Sequence, residues 1–401
     1  MNPILAFVVV MLVWTVSDLV AKKTRSLLSS LFVASIIFLV GFLTDLFPED
    51  LLTSSSLLGL AGVVVGFIIV HLGTMISLED FKKQWKTFVV GVATVVGIGL
   101  SLLLAALLFG GRISGTAEEG YAQALDFVVA GTGSLSGGTI SVLIVQEAAL
   151  GIGLTSIAIF PVLIAALQGL VGFPLTSLIL RKEAARLRDD YRAGHLPAPP
   201  PVDEAMVSRS RLPAALQTTP GTLFVVGAVV LVSLGINNLT DGVLNTFVVA
   251  LILGIALRTT GVLKPSVLSG IDAFGLMMLA IMILVFAPLA TVEPADVAAL
   301  ALPLALAFLF GVVGIAGFSA LVGRIVGYSI PMSVAIGLTS LYGFPGTMIL
   351  AQEAAKGAGE TPEETAAIEG QILPKMIVAG FSTVTITSVV VTSIIAAAIG
   401  R

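Results

Sequence analysis

Two short clusters of small and hydroxyl-bearing residues carry most of the chemistry this sequence offers. The first holds Gly131, Gly133, Ser134, Ser136, Gly137, Gly138 and Thr139. The second holds Thr339, Ser340, Tyr342, Gly343, Phe344, Pro345, Gly346 and Thr347. Helix does not continue comfortably through Gly-Gly or Phe-Pro-Gly, so each cluster reads as a turn between two helices. Inside a membrane, such a turn bares backbone N–H and C=O groups, which is tolerated only within protein or beside a wet cavity. The helix N-terminus leaving the turn suits an anionic group, and free carbonyls and hydroxyls suit Na⁺. The competing reading is that the glycines only let helices pack closely. On the first reading, Ser134, Ser136, Thr139, Ser340 and Thr347 are the candidate Na⁺ ligands. Candidate cargo-binding residues are Ser134, Ser136, Gly137, Gly138, Thr139, Tyr342, Gly343, Phe344, Gly346 and Thr347.

Charged residues near the clusters are candidate partners. Gln146–Glu147 and Gln352–Glu353 follow the two clusters at matching distances. They read either as site acids or as wet residues at the membrane edge, since a carboxylate at mid-bilayer costs ~2.5–3.5 kcal/mol. Asp126 precedes the first cluster, and Asp272 stands early in the ninth apolar stretch, where it also suits the start of a helix. Lys375 lies six residues after Glu369, and a buried lysine either pairs or loses its proton. His71 is mid-stretch in an apolar run and reads as a structural histidine.

Little else is available. Cysteine is absent, only two histidines occur, and there is no P-loop, H-E-x-x-H or G-x-S-x-G motif. Catalytic residues, an organic cofactor and ATP-driven pumping are therefore not expected, and the chain is read as a non-enzyme.

The elements that position the clusters come from composition. The 401 residues are 57% hydrophobic and 11% charged, against ~25% charged in soluble chains; mean hydropathy is +1.10. Stretches free of Asp, Glu, Lys and Arg span 1–17, 26–44, 51–78, 87–111, 127–146, 148–180, 212–240, 242–257, 273–292, 297–323, 325–352 and 376–400. Runs of about 20 apolar residues cross a bilayer as helices, and continuous rather than alternating hydrophobicity argues against a β-barrel. A charged, proline-rich linker at 181–216 divides two halves of six stretches each.

The halves are related. Gly131–Ala149 and Gly337–Ala355 match without gaps at eight of nineteen positions, closing on QEAA, and each is the fifth stretch of its half. Repeats with Gly/Pro-interrupted helices in matching places point to a secondary transporter's binding site. Charge then orients them. If all twelve stretches cross, seven Lys/Arg fall inside and twelve outside. If each fifth stretch is a re-entrant hairpin, seventeen fall inside, with Arg112 and Arg401 outside and Lys375 in the membrane. The positive-inside rule favours the second arrangement. The expected fold is thus an all-α polytopic membrane protein with two inverted repeats, 1–180 and 217–401. Each has five spans plus a hairpin, at about 121–148 and 331–353. Both termini face outward and the linker is cytoplasmic.

The pattern resembles the bacterial sodium/glutamate symporter family, and more distantly the 2-hydroxycarboxylate and bicarbonate sodium symporters. The resemblance rests on ALDFVVAGTGSLSGGT (124–139), SVLSGIDAFGLMMLAIMIL (266–284) and YGFPGTMILAQEA (342–354), and on the overall plan. The family's first tip continues Gly-Gly-His-Gly-Thr, whereas here Thr139 follows Gly138 directly. The resemblance implies an inner-membrane homodimer with scaffold and transport domains, the first two or so spans of each half forming the scaffold. It implies elevator-type symport of Na⁺ with glutamate or a related carboxylate. A proton-coupled carrier or exporter of another organic anion and a gated ion channel are the alternatives.

The charge tally yields a direct expectation. A cysteine replacing Ala198 should react with an impermeant maleimide only from the cytoplasmic face, and one replacing Ser54 only from outside. Labelling of both from one face would remove the hairpin arrangement.

Overall fold

The computed structural model describes residues 1–76, 82, 84–113, 120–151, 153–196, 210–240, 244, 246–269, 271–381, 383, 387–396 and 399. Much of the expected linker, 197–209, lies outside them. Every regular element among the described residues is helical. In chain order these are α1 (Pro3–Lys23), α2 (Ser30–Leu43), α3 (Leu51–Ser54), α4 (Leu57–Met75), α5 (Trp85–Ile113), α6 (Gly120–Leu135), α7 (Thr139–Gly151) and α8 (Thr155–Arg192). The second half has α9 (Thr219–Leu239), α10 (Thr246–Thr259), α11 (Phe274–Phe286), α12 (Pro294–Ala299), α13 (Ala301–Ile325), α14 (Ile330–Leu338), α15 (Gly346–Ala358), α16 (Pro362–Phe381) and α17 (Ser388–Ala396).

Among the described residues, seven helices are long and apolar enough to cross a membrane. The chain is thus a helical protein of membrane-spanning character; three of the expected spans, at 26–44, 242–257 and 376–400, do not each form a single helix of that length among the described residues. The shortfall has local causes. Ser29 caps α2 by accepting a hydrogen bond from the Phe32 N–H, and α2 ends after 14 residues at Thr44. That length covers about 21 Å at a 1.5 Å rise, less than a ~30 Å hydrocarbon core. α10 is equally short. The last apolar stretch winds with π-type turns at Thr383 and Thr387 before α17 resumes at Ser388.

Both matched blocks fold as helix–turn–helix pairs, α6–α7 over 120–151 and α14–α15 over 330–358. Their second arms have 13 residues each, about 20 Å, too short to cross alone.

The chain forms two compact units: Met1–Phe7, Leu52–Trp85 and Ala198–Leu284 in one, Val8–Leu51, Lys86–Pro197 and Val285–Arg401 in the other. Each draws on both halves. Membership differs from the scaffold mapping above, since α2 belongs to the second unit and most of α11 to the first.

The first unit is built around a close helix crossing. A Cβ on Gly73 of α4 would meet the Leu251 carbonyl oxygen at 2.4 Å, and one on Gly254 of α10 would meet that of Val70 at 2.5 Å. Backbones that approach this closely exclude any side chain. One turn away, His71 Nδ1 accepts from the Leu268 N–H at 3.1 Å and Thr74 Oγ1 accepts from the Val267 N–H at 3.1 Å. The His71 ring meets Phe274 edge-on at 4.8 Å. His71 therefore ties down backbone amides that have left helix, as a structural histidine does.

The second unit is built around α8, which packs against all four arms of the two pairs and against α2 and α16. α5 and α13 cross through another glycine pair, where a Cβ on Gly314 would meet the Gly97 carbonyl oxygen at 2.3 Å and one on Gly97 the Gly314 oxygen at 2.6 Å. These are the fourth stretches of the two halves, in reciprocal contact. The polar extension of α8 grips the ends of the second pair. Ser329, which caps α14, donates to Glu183 at 2.6 Å, and Arg186 bonds the same carboxylate at 2.6 Å. Arg192 Nε bonds Glu364 at 2.7 Å and its Nη2 bonds Glu360 at 2.8 Å.

That last clamp carries a pH dependence. The Arg192 guanidinium, and then the Glu360 N–H, hold the Glu364 carboxyl down at about 2, below its ordinary 4.5. A depressed folded-state pKa stabilises above the ordinary value and is lost as pH falls toward the folded one. The melting temperature of Glu364→Gln should fall below wild type at pH 7, with the gap closing between pH 4.5 and about 2. A pH-independent gap would assign the effect to packing.

Candidate functional site

The two turns lie within the second unit, and glycine makes both of them. Gly137 and Gly138 have φ of 86° and 90°, and Gly343 has φ of 57°. This left-handed region is open to glycine at little cost and strained for most L-residues. Backbone bonds close the turns: the Gly137 N–H donates to the Ser134 carbonyl at 3.0 Å and the Gly343 N–H to Thr339 at 2.8 Å. A cis peptide joins Phe344 to Pro345.

The last apolar stretch of each half supports the tips. At the first tip, the Ser388 hydroxyl donates to the Gly137 carbonyl and bonds the Ser141 hydroxyl. One turn along α17, Thr392 lies against Gly133, where a Cβ would meet its Cγ2 at 3.0 Å. At the second tip, the Tyr342 hydroxyl donates to Thr176 of α8 at 3.0 Å, and its ring leans on Phe173 at 5.3 Å. Thr339 and Thr383 hydroxyls meet at 3.3 Å, Phe344 stacks on Phe381 at 5.5 Å, and Thr347 closes on Gly380, whose Cβ would come within 2.8 Å. The π-wound stretch after α16 thus presents Thr383 to one tip and Ser388 to the other. Such windings recur at functional sites.

Several buried polar atoms there have no hydrogen-bond partner among the described residues: Thr132 Oγ1, Ser340 Oγ, Thr347 Oγ1, Thr392 Oγ1 and, on α8, Gln168 Oε1. Each unsatisfied buried group costs about 1–3 kcal/mol, so those on the tips and on the helices that form them call for a functional or ligand-based account. The remaining tip hydroxyls bond locally, Ser134 to the Ala130 carbonyl at 2.7 Å and Ser136 to Gly133 at 3.1 Å, which leaves their oxygen lone pairs available. The Thr139 side chain lies outside the described residues; its backbone opens α7.

Neither tip carries a formal charge of its own, and the charged candidates have individual settings. Glu353 accepts from the Ser30 N–H at 3.1 Å and from the Ser30 hydroxyl, while Ser26 donates to its backbone carbonyl at 3.0 Å. Its side chain caps the N-terminus of α2, taking up a backbone N–H that has no intrahelical acceptor. Its repeat mate Glu147 is exposed, and so is Asp272 before α11. Gln352 donates to Glu369 at 3.2 Å. Lys375 donates to the Gln371 carbonyl of its own helix. Asp126 is buried within α6 and engaged in the fold.

The reading of the sequence missed Thr132, Ser141, Thr176, Thr383, Ser388 and Thr392. Two signals were present: Ser141 aligns with Thr347 in the repeat, and 382–388 reads STVTITS. Compared with protein-family models and with curated proteins, the sequence matches none.

Because Glu353 caps α2, Glu353→Ala should lower stability by about 1–2 kcal/mol, read as a lower melting temperature, with Glu353→Gln losing less. Equal stability of Glu353→Ala and wild type would remove the capping role.

Proposed function

We propose that this chain is a sodium-coupled secondary transporter of a small organic anion. Its plan is two inverted repeats of five spans and one re-entrant helical hairpin, working by an elevator-type alternating-access mechanism as an inner-membrane homodimer. The observation that carries this reading is the pair of glycine turns in repeat-matched positions, surrounded by unpartnered buried hydroxyls. Close helix packing alone accounts for Gly97 and Gly314, but not for orphaned oxygens at Ser340, Thr347 and Thr392.

The donor set fits Na⁺. The oxygens of Ser134, Ser136, Ser340 and Thr347, with the carbonyls that end α6 and α14, are hard neutral ligands of the kind this ion takes. The opening amides of α7 suit the anion. The residues' part in coupling is thermodynamic. Na⁺ at the tips must favour the cargo-bound state, because a ligand shifts an equilibrium only by its differential affinity. The carboxylates that a proton-driven carrier needs have other occupations: Glu353 caps α2 and Glu147 is exposed. The second unit contains both helix pairs and is the candidate transport body. Glutamate is the cargo implied by the family resemblance.

Uptake into proteoliposomes under a Na⁺ or a proton gradient imposed alone tests the reading, with amino acids and carboxylates as cargo. Na⁺ alone should drive accumulation, and Ser340→Ala or Thr347→Val should raise the Na⁺ concentration for half-maximal rate several-fold, to about tenfold for a lost ligand worth ~1.4 kcal/mol. Gly137→Leu and Gly343→Leu should abolish uptake while leaving protein in the membrane. Full activity with protons and no Na⁺ would overturn the assignment.

A further inference from the structure

The two tips are chemically unequal, and the inequality bears on the cargo. Under the repeat alignment, Ser136 and Gly138 of the first tip match Tyr342 and Phe344 of the second. In the first tip 131–137 are buried and Gly138 keeps part of its surface; in the second Leu341, Gly343 and Pro345 are buried while Tyr342 and Phe344 between them stay partly exposed. The matched positions 138 and 344 are thus both open, one as bare backbone and the other as an aromatic ring. Both rings at the second tip rest on other rings, Phe344 on Phe381 with planes 23° apart and Tyr342 on Phe173, and Tyr342 is further enclosed by Gly172 and Gly346. Such rings offer a further apolar ring an offset or edge contact.

At α15, Thr347 donates to the Gly343 carbonyl at 3.0 Å and Met348 to Pro345 at 3.1 Å, so that turn satisfies its own helix start. At α7, Val142 is the first to bond back, to the Gly138 carbonyl at 3.3 Å, and a helix start leaves the amides before it without an intrahelical acceptor; Thr392, whose hydroxyl is unpartnered among the described residues, lies against Gly133 of this first pair. Formal charge is missing from all these elements where they reach the tips: 127–146, 148–180, 325–352 and 376–400 contain no Asp, Glu, Lys or Arg. An ammonium or a second carboxylate would be buried there without a side-chain counter-charge, which is strongly unfavourable.

Resting on the transporter reading above, we infer that the cargo is a monocarboxylate with an aromatic or similarly planar apolar body, and not an amino acid. Its carboxylate meets the first tip and its body lies against Phe344. The probes are phenylacetate, acetate, glutamate and succinate, each taken up by proteoliposomes under an inward Na⁺ gradient, with a choline control subtracted. Phenylacetate should show the highest kcat/KM, about tenfold above glutamate, and Na⁺ with phenylacetate should raise the melting temperature of the purified protein more than Na⁺ with glutamate. Phe344→Ala should lower the phenylacetate-to-acetate ratio of kcat/KM about tenfold, a ring contact being worth ~1.4 kcal/mol at that ratio. Phe344→Leu, which keeps the bulk, serves if the alanine variant does not fold. Glutamate, succinate or acetate matching or exceeding phenylacetate, or an unchanged ratio in the variants, overturns this inference alone. No Na⁺-driven uptake of any probe overturns the transporter reading and this one with it.

Discussion

A chain reversal buried among apolar helices is the constraint on which the second unit depends. In lipid an unsatisfied backbone group has no water to turn to, so each turn needs protein around it. The Gly137 carbonyl meets Ser388, the Tyr342 hydroxyl meets Thr176, and the Gly137 and Gly343 amides close on their own turns. The surrounding helices supply this polar lining from otherwise apolar stretches. α8 is long because it packs on all four arms, and the last stretch departs from regular α winding where it presents hydroxyls to both tips.

Glycine serves three distinct ends. At Gly137, Gly138 and Gly343 it permits positive φ. At Gly73–Gly254 and Gly97–Gly314 it removes side chains so that backbones meet. At Gly133, Gly172 and Gly380 it makes room for a threonine or tyrosine of a neighbouring helix. Only the first use bears directly on a ligand, through the backbone it exposes. The other two fix where the tips stand.

Charge is handled by segregation. Three buried carboxylates are paired with helix starts or guanidinium groups: Glu353 with α2, Glu183 with Ser329 and Arg186, Glu364 with Arg192. Each joins elements distant in sequence, at the ends of helices and away from the tips. The tips are left with dipoles and hydroxyls alone, a setting in which a small cation and a single anionic group can neutralise one another without a charged side chain.

The sequence by itself determined the helical, membrane-embedded class, because mean hydropathy and uncharged run lengths leave no other way to satisfy the backbone. It also located both turns, since Gly-Gly and Phe-Pro-Gly interrupt helix by local sterics, and related them through QEAA and the shared spacing. The individual partners were beyond its reach. Whether Glu353 served the tip or capped a helix depended on Ser30, 323 residues away, and no local pattern encodes that approach. Its repeat mate Glu147 shows that identical local sequence can end up exposed. Helix ends were likewise out of its reach, as hydropathy does not register the Ser29 cap that starts α2. Ser388, Thr392 and Thr176 read as ordinary residues of apolar spans until tertiary packing set them beside a turn, because a hydroxyl's role is fixed by what faces it.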